Sequence, residues 1–525
     1  MRIPPNDSQI LFESYWINLK IIVSFNLVVR YDRGGYKKKK LQNANIDTSS
    51  SSKPSYSLLD PNPSLIDKDG KLINNINLAA SLTTYHNGTI ADGISKLILI
   101  VESKSSLQFS INDTKPDDLT NGTLSSLNQS SNVSSLSSTT SDSPQNISNG
   151  KSVVAAVYTP PDSFNQDKGS NRTINVNISD PNNPATTLLE IPIHIYRPPV
   201  VLIHGLWMNS DNTWVTTNFA NNLANNGFYY AFADYEENNS KTFDPYDKVF
   251  GNYGINSIRK TIHNILGEYH YFLIAASQVD IVAHSMGGLM ARGFVQQPDY
   301  KGKENYMKGS IHRLITIGTP HFGGPLSKFL YDRRDYWYFF DGIKPTTART
   351  CKVEPKKLRT IYADNFSFPI DKGGIESLIP KSNAYSRLYQ TNVKSYAIAG
   401  SYRPNANESH RFQELYYKII VDPDHFNLDK DAFDDDDNDL VVSVTSQLGG
   451  LPKQIRQPNS SDIPNHSALY CNTLHDSFYK KEDKEIFSET DSPDIQKDVI
   501  KLLSSSDNDK FADAIGIGSP CCPSE

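Results

Sequence analysis

Cysteine is scarce in this chain, and its few copies form no metal or redox motif. The 525 residues include four cysteines and no C-x-x-C pair, so neither a zinc site nor a dithiol redox site is supported. Long apolar runs are also missing. Polar residues interrupt the apolar stretch at 16–29, and its period of two predicts a half-buried strand rather than a membrane span.

A surplus of positive charge is lacking as well. The chain has 52 basic and 58 acidic residues and a net charge of −6, which offers no case for nucleic-acid binding. The N-terminal residues 1–7 show no basic segment followed by an apolar core, so no secretory signal is visible. What the chain does have is length and 38% apolar residues, enough for two or three domains with globular cores.

The N-terminal part of the chain is rich in strand patterns. Alternating apolar residues mark a strand at 17–29, and further β-type runs occupy 91–101 and 107–111. The second run opens with Ala-Asp-Gly-Ile-Ser-Lys at 91–96, which resembles the entry of bacterial immunoglobulin-like modules. That resemblance implies an all-β immunoglobulin-like sandwich over 10–111, continued by the strand-like residues 151–196. Such a region would hold the protein on a surface or act as a spacer, or would only add stability.

A polar segment separates these two β-rich stretches. Residues 112–150 are dominated by Ser, Asn, Thr and Asp, and their low apolar content predicts a disordered linker. Asn-x-Ser/Thr triplets cluster there and, if they are glycosylated, predict a secreted or cell-surface protein. An Asn- and Ser-rich chain also produces such triplets by chance. The triplets begin at Asn112, Asn121, Asn128, Asn132 and Asn146.

From residue 197 strands alternate with helices, including a long predicted helix over 256–276, and this order predicts a mainly parallel sheet. The run Val-Val-Leu-Ile at 200–203 is typical of a buried parallel strand and ends in His-Gly. A second strand, 279–284, leads into Ala-His-Ser-Met-Gly at 283–287. This is the nucleophile-elbow layout with Ser285 at the turn and Ala283 in place of the first glycine. The alternative is an ordinary Ser-Gly loop between a core strand and a helix.

Together these motifs resemble the α/β-hydrolase superfamily, specifically its bacterial and archaeal lipase branch. The resemblance covers 197–505, leaves 506–525 as a tail, and implies an α/β fold with a lid or cap insertion at about 321–390. This insertion follows Gly-Thr-Pro-His at 318–321. It would cover an acyl site and touch a lipid surface transiently, or pack for stability alone. Its aromatic residues are Tyr331, Tyr336, Trp337, Tyr338, Phe339 and Phe340.

A serine nucleophile needs a base and an acid, and in this superfamily the chain order is Ser, acid, His. Residues 438–446 resemble the Asn-Asp-Gly-Val-Val-Pro-x-x-Ser pattern of these lipases, which implies that Asp439 is the acid. Leu440 stands in place of the glycine and Ser443 in place of the proline. These departures leave Asp437 as an alternative acid.

Two late histidines compete for the role of base. We favour His475 over His466, because His475 lies nearer the Glu-Thr-Asp-Ser-Pro stretch at 489–493 that leads into the last helix of similar hydrolases. By position, the backbone N–H groups of Leu206 and Met286 would form the oxyanion hole. His204 is expected to be a packing residue at the end of its strand, and His321 a structural residue. The resemblance implies that His284, beside the nucleophile, orients the turn.

The resulting prediction is a serine carboxylic-ester hydrolase of lipase or esterase type that acts on a lipid or other ester. One alternative is an inositol-deacylase-like acyl hydrolase or acyltransferase that acts on a lipid-linked glycan, and another is a non-catalytic surface adhesion protein. No cofactor is expected, and the oligomeric state is left open. A calcium site is an alternative, because an acidic run supplies hard oxygen ligands. It contains Asp422, Asp424, Asp429, Asp431 and Asp434.

Overall fold

All described residues belong to one compact unit, Pro54–Glu525. The strand predicted at 17–29 therefore lies outside them. This computed structural model describes residues 56–73, 86–112, 119–127, 138–146, 152–164, 169–247, 252–333, 360–363, 366–369, 373–402, 433, 436–457, 460–475 and 487–516.

The N-terminal part of the described chain folds as two packed β-sheets. In one sheet the order is β1-β3-β8-β5, with β7 also paired to β8. In the other, β2, β10, β9, β4 and β6 lie side by side. The strands are β1 (Tyr56–Leu59), β2 (Gly88–Ile90), β3 (Leu97–Glu102), β4 (Gln108–Ile111), β5 (Thr123–Ser126), β6 (Ser138–Thr140), β7 (Gln145–Asn146), β8 (Ser152–Thr159), β9 (Asn171–Asp180) and β10 (Asn183–Tyr196).

Alternation of apolar residues explains how the two sheets pack. Leu97 and Leu99 on β3 share one buried cluster with Val176 on β9 and Ile193 on β10, because side chains two apart point to the same face of a strand. The intervening residues of β3, such as Ile98, pack on the outer face in a second apolar cluster. A β-sandwich is thus present, whereas its assignment as immunoglobulin-like stays a prediction.

The prediction of a disordered linker over 112–150 is wrong for residues 119–127 and 138–146. They form β5, β6 and β7, which pair with β8 and β4. Composition predicted disorder because apolar residues are few, but Leu124 and Leu127 are both buried against the sandwich sheets. Pairing with strands that already exist satisfies the backbone of this polar segment.

The C-terminal part is built on a six-stranded sheet in the order β12-β11-β14-β15-β18-β19, in which every neighbouring pair is parallel. This agrees with the parallel sheet predicted from strand–helix alternation. Two-stranded pairs form separately from β16 with β17 and from β20 with β21. These strands are β11 (Val200–Ile203), β12 (Tyr230–Ala233), β14 (Val279–His284), β15 (Ile311–Ile317), β16 (Thr360–Ala363), β17 (Phe366–Pro369), β18 (Lys394–Ser401), β19 (Ser467–Cys471), β20 (Thr473–Leu474) and β21 (Phe487–Ser488).

Helices cover both faces of the six-stranded sheet. Val201 and Ile203 point to the face of α2 and α3, and Val200 and Leu202 to the face of α1 and α8. Burial on both faces explains why the β11 run is continuously apolar. The helices are α1 (Phe219–Asn225), α2 (Asn252–Tyr271), α3 (Met286–Val295), α4 (Pro325–Arg333), α5 (Gly374–Ser377), α6 (Asn383–Ser386), α7 (Val444–Leu448) and α8 (Pro493–Ser504).

The β-sandwich and the α/β part share one β-sheet. The helix predicted over 256–276 ends at Tyr271, and β13 (Ile274–Ala275) then pairs in parallel with β2 at the edge of a sandwich sheet. Ala275 is fully buried in the sandwich core. The β-sandwich is therefore continuous with the α/β part through backbone hydrogen bonds, which a local sequence pattern of two residues could not reveal.

The boundary predicted at 505 is too early, because residues 506–516 are part of the fold rather than a tail. Ala512 and Ser395 exchange backbone hydrogen bonds at the start of β18. Phe511 and Ile515 are buried in the two apolar clusters that flank the parallel sheet. These apolar residues are spaced too irregularly to form a helix or strand signal, so the sequence pattern did not include them.

The described parts of the insertion at 321–390 are α4, the β16–β17 hairpin, α5 and α6. Tyr331 lies in α4, and the other five aromatic residues of the predicted lid lie outside the described residues. Leu378 and Tyr385 pack into the core on the α2–α3 face. The lid therefore stays a prediction. Among the described helices, none has the length and apolar character that a membrane crossing requires.

Candidate active site

Ser285 stands at the turn between β14 and α3, where the sequence predicts a nucleophile elbow. Its φ of 52° and ψ of −131° are unusual for a residue with a side chain, as such a sharp turn demands. Small neighbours make the turn sterically feasible. A Cβ on Gly287 would lie 2.6 Å from the carbonyl oxygen of His204, and one on Gly205 would lie 2.6 Å from the Ser285 Cβ.

Ser285, His475 and Asp439 form one hydrogen-bonded chain. His475 Nε2 lies 2.9 Å from Ser285 Oγ, and His475 Nδ1 lies 2.7 Å from Asp439 Oδ2. All three residues are buried, and Ser285 keeps 8% of its surface exposed. Since Nδ1–H donates to the carboxylate, Nε2 is left as the acceptor for the serine hydroxyl proton. This arrangement can activate a serine for attack on a carbonyl carbon.

A tight turn holds Asp439 in place. Its Oδ1 accepts the backbone N–H groups of Val441 at 2.8 Å and Val442 at 2.6 Å, which leaves Oδ2 to face His475. Leu440 has a φ of 75°, in the left-handed region that favours glycine. The departure from the family pattern at this position thus places a leucine at a backbone conformation that glycine adopts more easily.

The two alternative residues lie elsewhere. Asp437 Oδ2 accepts from Lys453 Nζ at 2.7 Å and so faces a cation rather than an imidazole. His466 comes directly before β19, at the far edge of the sheet from β14. Its backbone N–H donates to Lys510 and its carbonyl accepts from Ala397. The structure therefore brings His475 and Asp439 to Ser285, and does not bring His466 or Asp437 there.

The two predicted oxyanion donors flank the serine. Met286 is the first residue of α3, so its N–H lies at the helix N-terminus. Leu206 follows Gly205, which contacts the Ser285 side chain. Within the described residues neither N–H donates a hydrogen bond. Their role as donors to a negative oxygen beside Ser285 stays a prediction.

A second carboxylate, which the sequence motifs did not assign, lies behind His475. Glu489 is fully buried, and its Oε2 lies 3.5 Å from His475 Nδ1 and 3.4 Å from His284 Nε2. Its Oε1 accepts the backbone N–H of Gly400 at 2.9 Å. In the sequence, this residue is the first of the Glu-Thr-Asp-Ser-Pro stretch at 489–493. The sequence analysis used that stretch only to mark the start of the last helix.

His284 lies beside His475 and forms a hydrogen bond to its backbone. Its Nε2 donates to the His475 carbonyl oxygen at 3.0 Å, and burial together with the nearby charge of His475 holds its pKa well below the usual value. Ligand atoms of His284, His475 and Glu489 lie within 4.8 Å of one another, close enough to share a metal ion. His284 Nε2 and both ring nitrogens of His475 already take part in hydrogen bonds, so these side chains form a hydrogen-bond network.

The other two motif histidines have packing roles. His204 is fully buried and stacks on Tyr235, with ring centroids 4.2 Å apart. His321 lies between Thr316 and Arg292, and burial and the Arg292 charge keep its pKa well below the usual value. The acidic residues considered for calcium lie outside the described residues. These are Asp422, Asp424, Asp429, Asp431 and Asp434.

Comparison with known proteins agrees with this fold. Residues 195–344 match the family of PGAP1-like alpha/beta domains. The GPI inositol-deacylase of Debaryomyces hansenii is 26% identical over 149 residues, which cover 26% of this chain and 14% of that protein. The match thus spans about one seventh of this curated relative. With the parallel sheet and the elbow described above, the family match supports an α/β-hydrolase fold for the part of the chain that contains residues 195–344.

Solved structures that resemble this chain include three lipolytic enzymes. The lipase BlEst2 of Bacillus licheniformis in mature form is 16% identical and covers 59% of this chain and 93% of its own, with a TM-score of 0.31. The phospholipase PlaB of Legionella pneumophila is 12% identical over 60% and 61%, with a TM-score of 0.35. The lipase of Staphylococcus hyicus is 14% identical over 59% and 91%, with a TM-score of 0.28.

Proposed function

We propose that this protein is a serine carboxylic-ester hydrolase of lipase or esterase type. The observation that carries the proposal is the hydrogen-bonded chain from Ser285 through His475 to Asp439. Such a chain is what a serine alcohol needs to become a nucleophile at neutral pH. It lies at the carboxyl end of the parallel strands, where α/β folds hold their ligands.

In the proposed reaction, Ser285 Oγ attacks the ester carbonyl carbon while His475 Nε2 takes the hydroxyl proton. Asp439 accepts the Nδ1–H bond and stabilises the imidazolium that forms. The N–H groups of Leu206 and Met286 would donate to the oxyanion, each worth about 2.7–4 kcal/mol in the transition state. His475 then returns its proton to the leaving alcohol, which leaves an acyl-enzyme on Ser285.

Hydrolysis of the acyl-enzyme completes the cycle. A water molecule gives a proton to His475 Nε2 and attacks the acyl carbon, and the imidazolium then protonates Ser285 Oγ as the carboxylic acid departs. Ser285 keeps 8% of its surface exposed, and this suits the step because water must reach the acyl carbon. If water were excluded while a second alcohol was bound, the same residues would transfer the acyl group instead.

A second candidate is an acyl ester on the inositol of a lipid-linked glycan. The match to PGAP1-like domains and the resemblance to a GPI inositol-deacylase favour this substrate class. Its chemistry at Ser285 is the same, and only the alcohol part of the ester differs. The Asn-x-Ser/Thr triplets predict a secreted or cell-surface location for this protein. The exposed Asn146 triplet on β7 offers a test of that location, since glycosidase treatment of native protein would lower its mass if a glycan is present.

The testing experiment is hydrolysis of p-nitrophenyl esters, from acetate to palmitate, by wild type and Ser285→Ala. Ser105→Ala, at an exposed bend of the sandwich, is the matched control. We expect turnover by wild type and by the control, and none by Ser285→Ala. Rising activity with chain length would identify a lipase, and activity on short esters alone an esterase.

An absence of p-nitrophenyl ester hydrolysis has two explanations, and labelling with a fluorophosphonate probe distinguishes them. This probe phosphonylates an activated serine whatever the natural alcohol or acyl chain is. Labelling of wild type but not Ser285→Ala, without p-nitrophenyl turnover, would favour the lipid-linked glycan. A folded protein that is neither labelled nor active would contradict the enzyme proposal and favour a non-catalytic adhesion role.

A further inference from the structure

We propose that Glu489 is a positioning residue of this site: a second carboxylate that orients His475 and stabilises its positive charge during acyl transfer. The proposal rests on the ester-hydrolase function proposed above. Glu489 is a fourth side chain, in addition to the serine, acid and histidine of the motif. It touches neither Ser285 nor the expected position of the ester. Glu489 would act only through His475.

The fold leaves a space for this carboxylate. A Cβ on Gly318, at the end of β15, would overlap Glu489 Oε2 and lie 2.9 Å from His475 Nδ1. A Cβ on Gly400, in β18, would lie 2.6 Å from Glu489 Oε1. Two strands thus carry glycine at the places where a side chain would displace Glu489. Gly318 also has a φ of 60°, so substitution there would meet backbone strain as well.

Burial makes an unneutralised carboxylate costly. Glu489 is fully buried, and removal of a carboxylate from water is unfavourable unless hydrogen bonds or opposite charge compensate. The Gly400 N–H satisfies Oε1. Oε2 lies toward His475 and His284, and a full positive charge arises on His475 when it takes the Ser285 proton. The attraction is therefore greater in the transition state than in the resting enzyme, which is the condition for catalysis.

Glu489 and Asp439 have different relations to His475. Asp439 Oδ2 makes a short hydrogen bond at 2.7 Å, whereas 3.5 Å to Glu489 Oε2 is longer than an effective hydrogen bond. Glu489 therefore acts through its charge while Asp439 is present. When Asp439 is neutralised, Glu489 is the carboxylate that remains beside Nδ1–H. Among the described residues, the titratable groups that lie next to His475 include Asp439 from the turn before α7, Glu489 after β21, and His284 from β14.

The first test is Glu489→Gln, which keeps the shape and removes the charge. Glu190→Gln, at an exposed position on β10, is the control. We expect kcat for ester hydrolysis to fall about tenfold with KM close to wild type. The apparent pKa of the acidic limb should fall by about one unit, because an opposite charge within 4–6 Å raises an imidazole pKa. A merely structural glutamate would leave the pH profile unchanged.

The second test is the pair Asp439→Asn and Asp439→Asn with Glu489→Gln. If Glu489 is the remaining carboxylate, Glu489→Gln lowers the residual rate by a larger factor in the Asp439→Asn background than in wild type. An equal factor in both backgrounds would overturn the proposal. If Glu489→Gln fails to fold, Glu489→Asp replaces it, and a smaller shift of the pH profile in the same direction is expected. An unshifted profile there would overturn the proposal.

Fluorophosphonate labelling of Ser285 is measured alongside, so that the two proposals fail separately. Wild type that is labelled, with Glu489→Gln labelled at the same rate and the same pH dependence, overturns the role of Glu489 alone. Wild type that is neither labelled nor active on esters overturns the proposed function and this inference with it. Slower labelling of Glu489→Gln with a lowered acidic limb supports both.

Discussion

His312 Nδ1 lies 2.8 Å from Asp280 Oδ1, and its Nε2 lies 2.9 Å from Asp162 Oδ1. Asp280 is in β14, His312 is in β15, and Asp162 follows β8 of the sandwich, so one imidazole joins the two parts of the fold. Arg313 adds a bond from its guanidinium to the Asp162 carbonyl oxygen at 3.1 Å. Burial opposes charge on His312, but Asp280 and Asp162 outweigh it and raise its pKa to about 9.

This contact predicts a pH-dependent stability. Because the folded pKa of about 9 lies above the ordinary value of 6.5, the stabilisation by His312 is complete below pH 6.5 and is lost as the pH rises through 9. His312→Gln should lower the free energy of unfolding by about 3 kcal/mol at pH 6. The difference from wild type should shrink by pH 10. Denaturant unfolding at pH 6, 8 and 10 measures it.

The control for this measurement is His194→Gln, because His194 is half-buried on β10 and faces Thr173 rather than a carboxylate. Its loss should cost less than about 1 kcal/mol, and the small difference should not diminish at high pH. A gap for His312→Gln that stays constant from pH 6 to pH 10 would contradict the assignment of charge to this imidazole.

Removal of the sandwich should unfold the α/β part. A fragment that begins at residue 197 loses β2, the partner of β13, and leaves His312 and Arg313 without Asp162. Apolar residues that the sandwich covers, such as Ala275, would then be exposed to water, and the ion pair of His312 with Asp162 would be lost. We expect residues 197–525 to lack a cooperative thermal transition, whereas residues 54–525, one compact unit, keep it. Calorimetry decides between them, and a cooperative transition of the short fragment would show that the sandwich is separable.

We expect Gly318→Ala to have a larger effect on catalytic activity than on the free energy of unfolding. The new methyl group would overlap Glu489 Oε2 and press on His475 Nδ1, and an error of about 1 Å in a catalytic group costs about a hundredfold in rate. Gly267→Ala is the control, since no atom lies within 4 Å of a Cβ placed there in α2. That change should raise stability by about 0.5–1 kcal/mol. Equal activity of the two variants would contradict the close packing around His475.

Local patterns were sufficient to predict the centre of this site. The elbow around Ser285 combines a buried strand, small neighbours and a helix start, all within a few residues. The superfamily's chain order then limited the search for Asp439 and His475 to the C-terminal part, and the structure brings both to Ser285.

Features that depend on distant partners were not accessible in this way. Glu489 reaches His475 only because Gly318 and Gly400, on two other strands, leave space for it. The two-residue β13 is a strand only because β2 lies beside it. Composition likewise could not show that a polar stretch such as β5 would pair with β8. In each case the decisive interaction lies between segments far apart in sequence.

Tyr235 provides the last prediction, because it fixes the backbone that precedes the oxyanion donors. Its hydroxyl donates to the His204 carbonyl oxygen at 2.5 Å, and that oxygen faces Gly287 of the elbow helix. Tyr235→Phe should therefore cost about 1 kcal/mol of stability and also lower kcat by about tenfold. KM should change little, because the contact does not reach the substrate.

Tyr158→Phe is the matched control for this change. Tyr158 is equally buried, and its hydroxyl donates to the Asn121 carbonyl oxygen at 2.8 Å inside the sandwich. Its loss removes the same kind of hydrogen bond and should cost a similar amount of stability while leaving kcat at the wild-type value. Steady-state kinetics on one p-nitrophenyl ester and denaturant unfolding of both variants make the comparison. Equal kcat values for the two would mean that Tyr235 stabilises the fold without positioning the oxyanion loop.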